Sequence, residues 1–198
     1  NIPVVFFDRI PNMPGMHYVA CNMESGTIQA VSFLLKKGHR VIGMINGPEK
    51  LFASNERLEG YIKAMKKHRL KFDPNLIITS DLTKEGTYEA MRQLLSQRRK
   101  PTAIVAFNDY VALDAVEYAK NTKLKINKDI TFVSYANLPI SHYLAFPPVA
   151  SVEQYPYQQG QKATETLIDI LSKNQEETDT ATYYKIILES QLMIHNKR

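Results

Sequence analysis

Short runs of continuous apolar residues alternate along the chain with longer stretches in which apolar positions recur every three or four residues. The runs at 4–7, 18–21, 41–45, 76–78, 103–107 and 130–135 read as buried strands. The stretches 26–37, 55–69, 84–96 and 109–120 carry the helical spacing, through residues such as Ile28, Val31, Leu34, Tyr61, Met65, Tyr88, Met91 and Leu94. Gly38 stands where the first of these helices should end. Strand and helix following each other through short connections predict a parallel sheet built from right-handed crossovers. Continuous apolar strands predict helices on both faces of it.

In such sheets ligands bind beyond the carboxyl ends of the strands. The residues after each predicted strand are therefore the candidates: Asp8-Arg9, Asn46-Gly47, Ser80-Asp81-Leu82, Asn108-Asp109 and Tyr135-Ala136-Asn137. Past Asn137 the alternation breaks at Pro139, Pro147 and Pro148. Residues 149–152 read as extended and 157–172 as a helix. The polar run 173–180 reads as an exposed turn and 183–188 as a last strand. No internal repeat or low-complexity tract is present.

Composition narrows this picture little. The 198 residues are 44% hydrophobic and 23% charged, enough to bury a core in one or two lobes. No stretch approaches the roughly 20 apolar residues of a membrane helix. The opening Asn1-Ile2-Pro3 has no basic leader or cleavage site, so it reads as an internal start and not as a secretory signal. The formal net charge is +5. The densest basic groups are Lys36-Lys37, Lys66-Lys67-His68-Arg69 and Arg98-Arg99-Lys100. They fall near the ends of predicted helices, where cations complement the helix dipole. They read as solvated helix ends in preference to a nucleic-acid footprint.

Candidate chemistry is sparse. There is no phosphate loop, no Gly-x-Gly-x-x-Gly and no Gly-x-Ser-x-Gly elbow. The five histidines are isolated in sequence and lack metal-ligand spacing. Cys21 is the only cysteine, which excludes an internal disulfide. Asp8, Asp81 and Asp109 are strand-end carboxylates, a residue type that does acid–base work, caps helices or holds polar ligands. Neither a metal nor a cofactor is expected, and the chain does not read as an enzyme.

Six segments, in order, resemble one family. They are Ile2-Pro3-Val4-Val5 with Asp8-Arg9; Leu34-Leu35 with Gly38-His39-Arg40; Asn46-Gly47-Pro48 with Arg57 and Gly60-Tyr61; Pro101-Thr102-Ala103-Ile104 with Asn108-Asp109; Ile130 to Tyr135; and Pro147-Pro148-Val149 with Val152 and Gln154. Together they resemble the effector domains of LacI/GalR-type bacterial transcription regulators. The resemblance implies an α/β fold of two parallel-sheet lobes, of the type I periplasmic-binding-protein kind, with the first lobe truncated. On that expectation residues 1–22 and 150–180 are the remnant of the first lobe, 23–149 and 181–191 form the second, and 192–198 are a tail. The helix-turn-helix head that reads the major groove would precede this chain.

The same resemblance implies a function and a site. A small polar, sugar-like effector would bind between the lobes and control operator binding allosterically. The protein would be a cytoplasmic homodimer that meets DNA only through the missing head and has no membrane partner. Arg57 matches an arginine that grips hydroxyls or a carboxylate, and Asn108 a polar strand-end position. Asp109 reads equally as helix cap or ligand contact. Asp8 and Arg9 match the first-lobe edge of the cleft. Leu82, Tyr135, Ala136 and Asn137 complete the candidate set. Ala136 stands where the family commonly has an acid, Leu82 where an aromatic is often found, and Ser134 where a glycine is usual. These departures weaken the expectation of a simple pentose or hexose. A solute-binding protein of a transporter, which shares the fold, is the alternative.

Overall fold

A computed structural model describes residues 2–11, 13–172 and 183–195. The turn expected at 173–180 lies outside them. Nine strands and five α-helices follow in the order β1 (Val5–Phe7), β2 (His17–Asn22), α1 (Met23–Lys36), β3 (Ile42–Asn46), α2 (Phe52–Lys67), β4 (Ile77–Thr79), α3 (Lys84–Ser96), β5 (Ala103–Ala106), α4 (Asp109–Asn121), β6 (Thr131–Tyr135), β7 (Ala150–Glu153), α5 (Pro156–Ser172), β8 (Lys185–Glu189) and β9 (Gln191–Ile194) among these residues. The predicted alternation is present, with ends displaced by one to three residues at most elements. Such ends are set by caps: Asn22, Thr83 and Asn108 each accept from the backbone three residues on and start α1, α3 and α4.

The strands form two sheets. A small one has the order β1-β2-β8, and a larger one the order β4-β3-β5-β6-β7-β9. All pairings are parallel except that of β7 with β9. This corrects the expected assignment of the returning segments. Residues 150–153 belong to the larger sheet and 185–189 to the smaller. Residues 191–194, with 192–194 expected as part of a tail, are an edge strand of the larger sheet. The error has a physical source: the helix that follows β7 packs on the smaller sheet while β7 itself pairs in the larger one, so sequence order does not say which sheet a returning strand joins.

Two apolar clusters hold the larger lobe, one on each side of its sheet. One gathers Leu34, Met44, Tyr61 and Val133 under α1 and α2; the other gathers Leu94, Ile104, Val116 and Phe132 under α3 and α4. The buried Tyr61 hydroxyl donates to the Ile42 carbonyl at 2.7 Å, which satisfies its one polar atom inside the core. Helices α1 and α2 touch at Gly60. A Cβ there would lie 2.5 Å from the Glu24 carbonyl oxygen and 2.7 Å from Thr27 Cβ. Gly60→Ala should therefore destabilise by about 1–3 kcal/mol, because the obstacle is backbone and cannot rotate away. Urea titration should show a lower midpoint with an unchanged slope.

Candidate functional site

The chain crosses between the sheets three times, after β2, after β7 and after β8. Between the two lobes lies a cavity of about 430 Å³, within the usual size of a small-molecule site. The smaller sheet supplies one wall through Phe7, Asp8, Arg9 and Ala20. The larger lobe supplies the other from the loops after β3, β5, β6 and β7. Carboxyl ends of strands thus surround it, as parallel sheets require. Strained backbone gathers here. Asp8, Ala136 and Tyr155 follow β1, β6 and β7 with φ of 63, 90 and 52°, conformations that cost a non-glycine residue of order 1–3 kcal/mol.

Arg57 is the central polar residue of the larger wall. It lies on α2 and is only 3% exposed. Its guanidinium carbon sits 3.9 Å from the centroid of the Phe107 ring and 4.3 Å from that of Tyr135. The two faces fix the plane of the fork. Nη2 approaches the Met23 sulfur at 3.7 Å, while Nε and Nη1 are buried without a hydrogen-bond partner. Burial lowers the Arg57 pKa and raises that of Tyr135. The Tyr135 hydroxyl is held in a short hydrogen bond with Thr27. Gly47 is part of this arrangement, since a Cβ at that position would meet the Phe107 ring at 2.5 Å.

The structure brings Asp8, Arg9, Arg57, Asn108 and Ala136 to the cavity. Asn108 Oδ1 is committed to capping α4, accepting from Val111 N at 2.9 Å, so its amide group is the part available to a ligand. The other four candidates do not line the cavity. Tyr135 is fully buried behind Arg57. Leu82 packs against the core beneath α3 and α4. Asn137 donates to Glu153 at 2.8 Å and approaches His195 Nε2 at 3.1 Å. Asp109 is not the helix cap that its position suggested. It is 1% exposed and turns inward, where its carboxylate accepts from the hydroxyls of Ser134 and Ser151 and from Leu138 N. Ser134, the departure from the usual glycine, is thus one of its donors.

Several lining residues escaped the sequence reading: Met23, Leu51, Phe52, Glu56, Phe107 and Gln154. Phe107 ends a predicted strand, and Leu51-Phe52 follow the Gly47-Pro48 turn, so position alone could have flagged them. Burial raises the Glu56 carboxyl pKa. Cys21, 5% exposed and at the cavity wall, has its thiol pushed up to about 12, first by burial. No group of three potential metal ligands occurs among the described residues, and no helix among them is long and apolar enough to cross a membrane.

Two lobes of parallel sheet, with a polar-centred cavity at the strand ends between them, define a ligand-binding module of the periplasmic-binding-protein type. The comparisons agree and narrow the class. The model of the periplasmic binding protein-like domain family matches residues 31–187. The repressor CytR of Escherichia coli K12 is 33% identical over 145 residues, covering 73% of this chain and 42% of that protein. A LacI-family regulatory protein from Chloroflexus aggregans superposes with a TM-score of 0.84 at 32% identity, over 97% of this chain and 67% of that one. The transcriptional regulator CelR in complex with cellobiose gives 0.86 at 27% identity, over 96% of this chain and 57% of that one. The chain belongs to the periplasmic binding protein-like domain family, within the branch formed by the effector domains of LacI-family transcription regulators. It spans about half the length of the curated relatives it matches. These relatives are regulators, neither enzymes nor transport proteins by name.

Two measurements check the site. Asp109→Ala would leave two hydroxyls and a backbone N–H without their acceptor, so it should destabilise the fold by about 2–4 kcal/mol in urea titration. The raised Cys21 pKa contributes stability that is intact below the thiol's ordinary range near 8.5. That contribution is lost as pH rises toward about 12. Over that interval the stability of Cys21→Ala should fall less steeply than that of the parent chain.

Proposed function

We propose that this chain is the effector-sensing part of a DNA-binding transcription regulator, and that a small polar molecule binds in the cleft. One observation carries the reading. Arg57 is a buried cation stacked between two rings, with two unpartnered nitrogen groups beside the cavity. Leaving a buried charge without its hydrogen bonds costs several kcal/mol, and the ring faces and the fields of Asp8 and Glu56 offset part of this without giving Nε and Nη1 an acceptor. An oxygen-rich ligand would, through charge-assisted hydrogen bonds to the fork. The apolar residues around it (Phe7, Leu51, Phe52, Phe107) suit the carbon skeleton of a sugar or a related compound. That CelR was solved with cellobiose favours the same class.

The ligand acts by shifting the population of lobe arrangements, and the complete protein, a cytoplasmic homodimer, reads operator DNA through segments outside this chain. The ligand is bound without being turned over, a reading supported by relatives that are named as regulators.

A thermal-shift panel of disaccharides including cellobiose, sugar acids and nucleosides, run on the whole regulator, should reveal the ligand by raised melting temperature. Calorimetry with that ligand should then show Arg57→Met weakening binding by roughly 2–5 kcal/mol, while the unliganded variant melts no lower than the parent. Unchanged affinity, or a clear loss of stability without ligand, would assign Arg57 to the architecture and reject the reading.

A further inference from the structure

The loops that enter β3, β4, β5 and β6 lie at the opposite end of the larger lobe from the cleft. They are residues 36–41, 66–76, 97–102 and 121–130. Since these four strands are neighbours in the sheet, the loops form one continuous face. Backbone bonds from Thr102 N to Val41 O at 2.9 Å and from Thr131 N to Thr102 O at 3.0 Å tie three of them together. His68, at the end of α2, meets Ser32 of α1 at 3.1 Å and draws the remaining loop alongside.

These four segments hold thirteen of the 25 lysines and arginines and only two acids, Asp73 and Asp129. The remainder of the chain holds twelve basic and eighteen acidic residues. A surplus of eleven on this face is therefore set against a deficit of six elsewhere, which is how a net charge of +5 arises. All thirteen are exposed. None takes part in an ion pair among the described residues; the four pairs there, of Lys63, Lys84, Arg92 and Lys162, all lie elsewhere.

The helix dipole does not account for this. Its influence fades within the last turn, which covers Lys36, Lys66 and Lys67. Lys71, Arg98, Arg99, Lys100 and Lys125 lie beyond the helix ends. The face also lacks what other partners need. No large hydrophobic residue is exposed in the four segments, whereas protein interfaces have an apolar core and are poor in lysine. Exposed aromatics for stacking single-stranded bases are absent from them as well. A repeating, rigid array of phosphates remains, which lysine and arginine neutralise without sequence information.

We infer that this face is a docking surface for the phosphate backbone of duplex DNA, bound without sequence preference and separate from the cleft. The test is fluorescence anisotropy of a labelled duplex of about 30 base pairs and arbitrary sequence with the chain itself, between roughly 50 and 200 mM salt. Binding should weaken steeply with salt. Joint reversal of Arg98→Glu, Arg99→Glu and Lys100→Glu should weaken it at least about tenfold and flatten the salt dependence. Lys66→Gln, Lys67→Gln and Arg69→Gln should act in the same direction. Lys63→Glu, Lys84→Glu and Lys162→Glu together make the same change in net charge elsewhere and should leave affinity nearly unchanged, with circular dichroism confirming the fold of each variant. No binding at the lowest salt, equal weakening by the control, or poly-glutamate or single-stranded DNA bound as tightly as the duplex would overturn the inference.

Discussion

Parallel strand pairing is the constraint from which the layout of this protein follows. In the larger sheet every strand but the edge strand β9 runs the same way, so each connection must return along the sheet, through α2, α3 and α4 for the first three and through a loop between β6 and β7. That gives the lobe two unlike ends. At one end strands finish and helices begin, presenting backbone N–H groups and polar caps. At the other end helices finish, presenting carbonyls that cations complement. The cavity with Arg57 and Asn108 sits at the first end. The exposed lysine and arginine loops sit at the second. The sheet's direction sets these two ends apart, while the basic residues that lie past the last helical turns are an addition to what that direction alone requires.

Within the first end, the aromatic rings of Phe107 and Tyr135 decide what Arg57 can do. A buried guanidinium is usually paired with a carboxylate, and such a pair would be closed to a ligand. Here the rings stabilise the charge through their faces while leaving the edge of the fork unsatisfied. The tyrosine hydroxyl is shared between Thr27 and the fork and the phenylalanine has none, so Nε and Nη1 stay without the acceptors a carboxylate would supply. The arginine is thereby oriented without being consumed. Asp109, the nearest buried acid in sequence order after Phe107, is satisfied by Ser134, Ser151 and Leu138.

Much of this was legible from residue order. Periodicity and turn residues located the helices and most strands, because the core of each element is repetitive and long enough to show its period. The rule that strand ends carry function selected Asp8, Arg9, Asn108 and Ala136, while the family resemblance picked out Arg57. What could not be read was direction within a loop. Asn108 and Asp109 are adjacent and both polar, yet one faces the cavity while the other points into the core. Leu82 and Asn137 also follow strands and face elsewhere. Side chains one residue apart at a helix start point about 100° apart, and sequence gives no origin for that angle. The membership of β7, β8 and β9 was hidden for a related reason. One of them, β8, pairs with a strand more than a hundred residues away, and the antiparallel partners β7 and β9 are separated by a whole helix and a strand of the other sheet, over which no local pattern carries information.

The crossings between the sheets bear on how the cleft operates. Ser190, between β8 and β9, donates to the Asn22 carbonyl at 2.7 Å, which joins two of the crossings directly. At the third, buried Gln159 donates to the Gln154 carbonyl at 2.7 Å and accepts from Asp8 N at 3.2 Å. The same glutamine thus fixes the strained Asp8 of one wall and the strand end of the other. Covalent and hydrogen-bonded links between the lobes are concentrated along this line, which leaves rotation about it as the softest motion of one lobe against the other. Asp8 and Arg9 stand on one side of that axis and Arg57 on the other. On the proposed reading, a ligand that touches both sides acts on the angle between the lobes, and Arg57, with two nitrogens still without an acceptor, is the side chain through which it would do so.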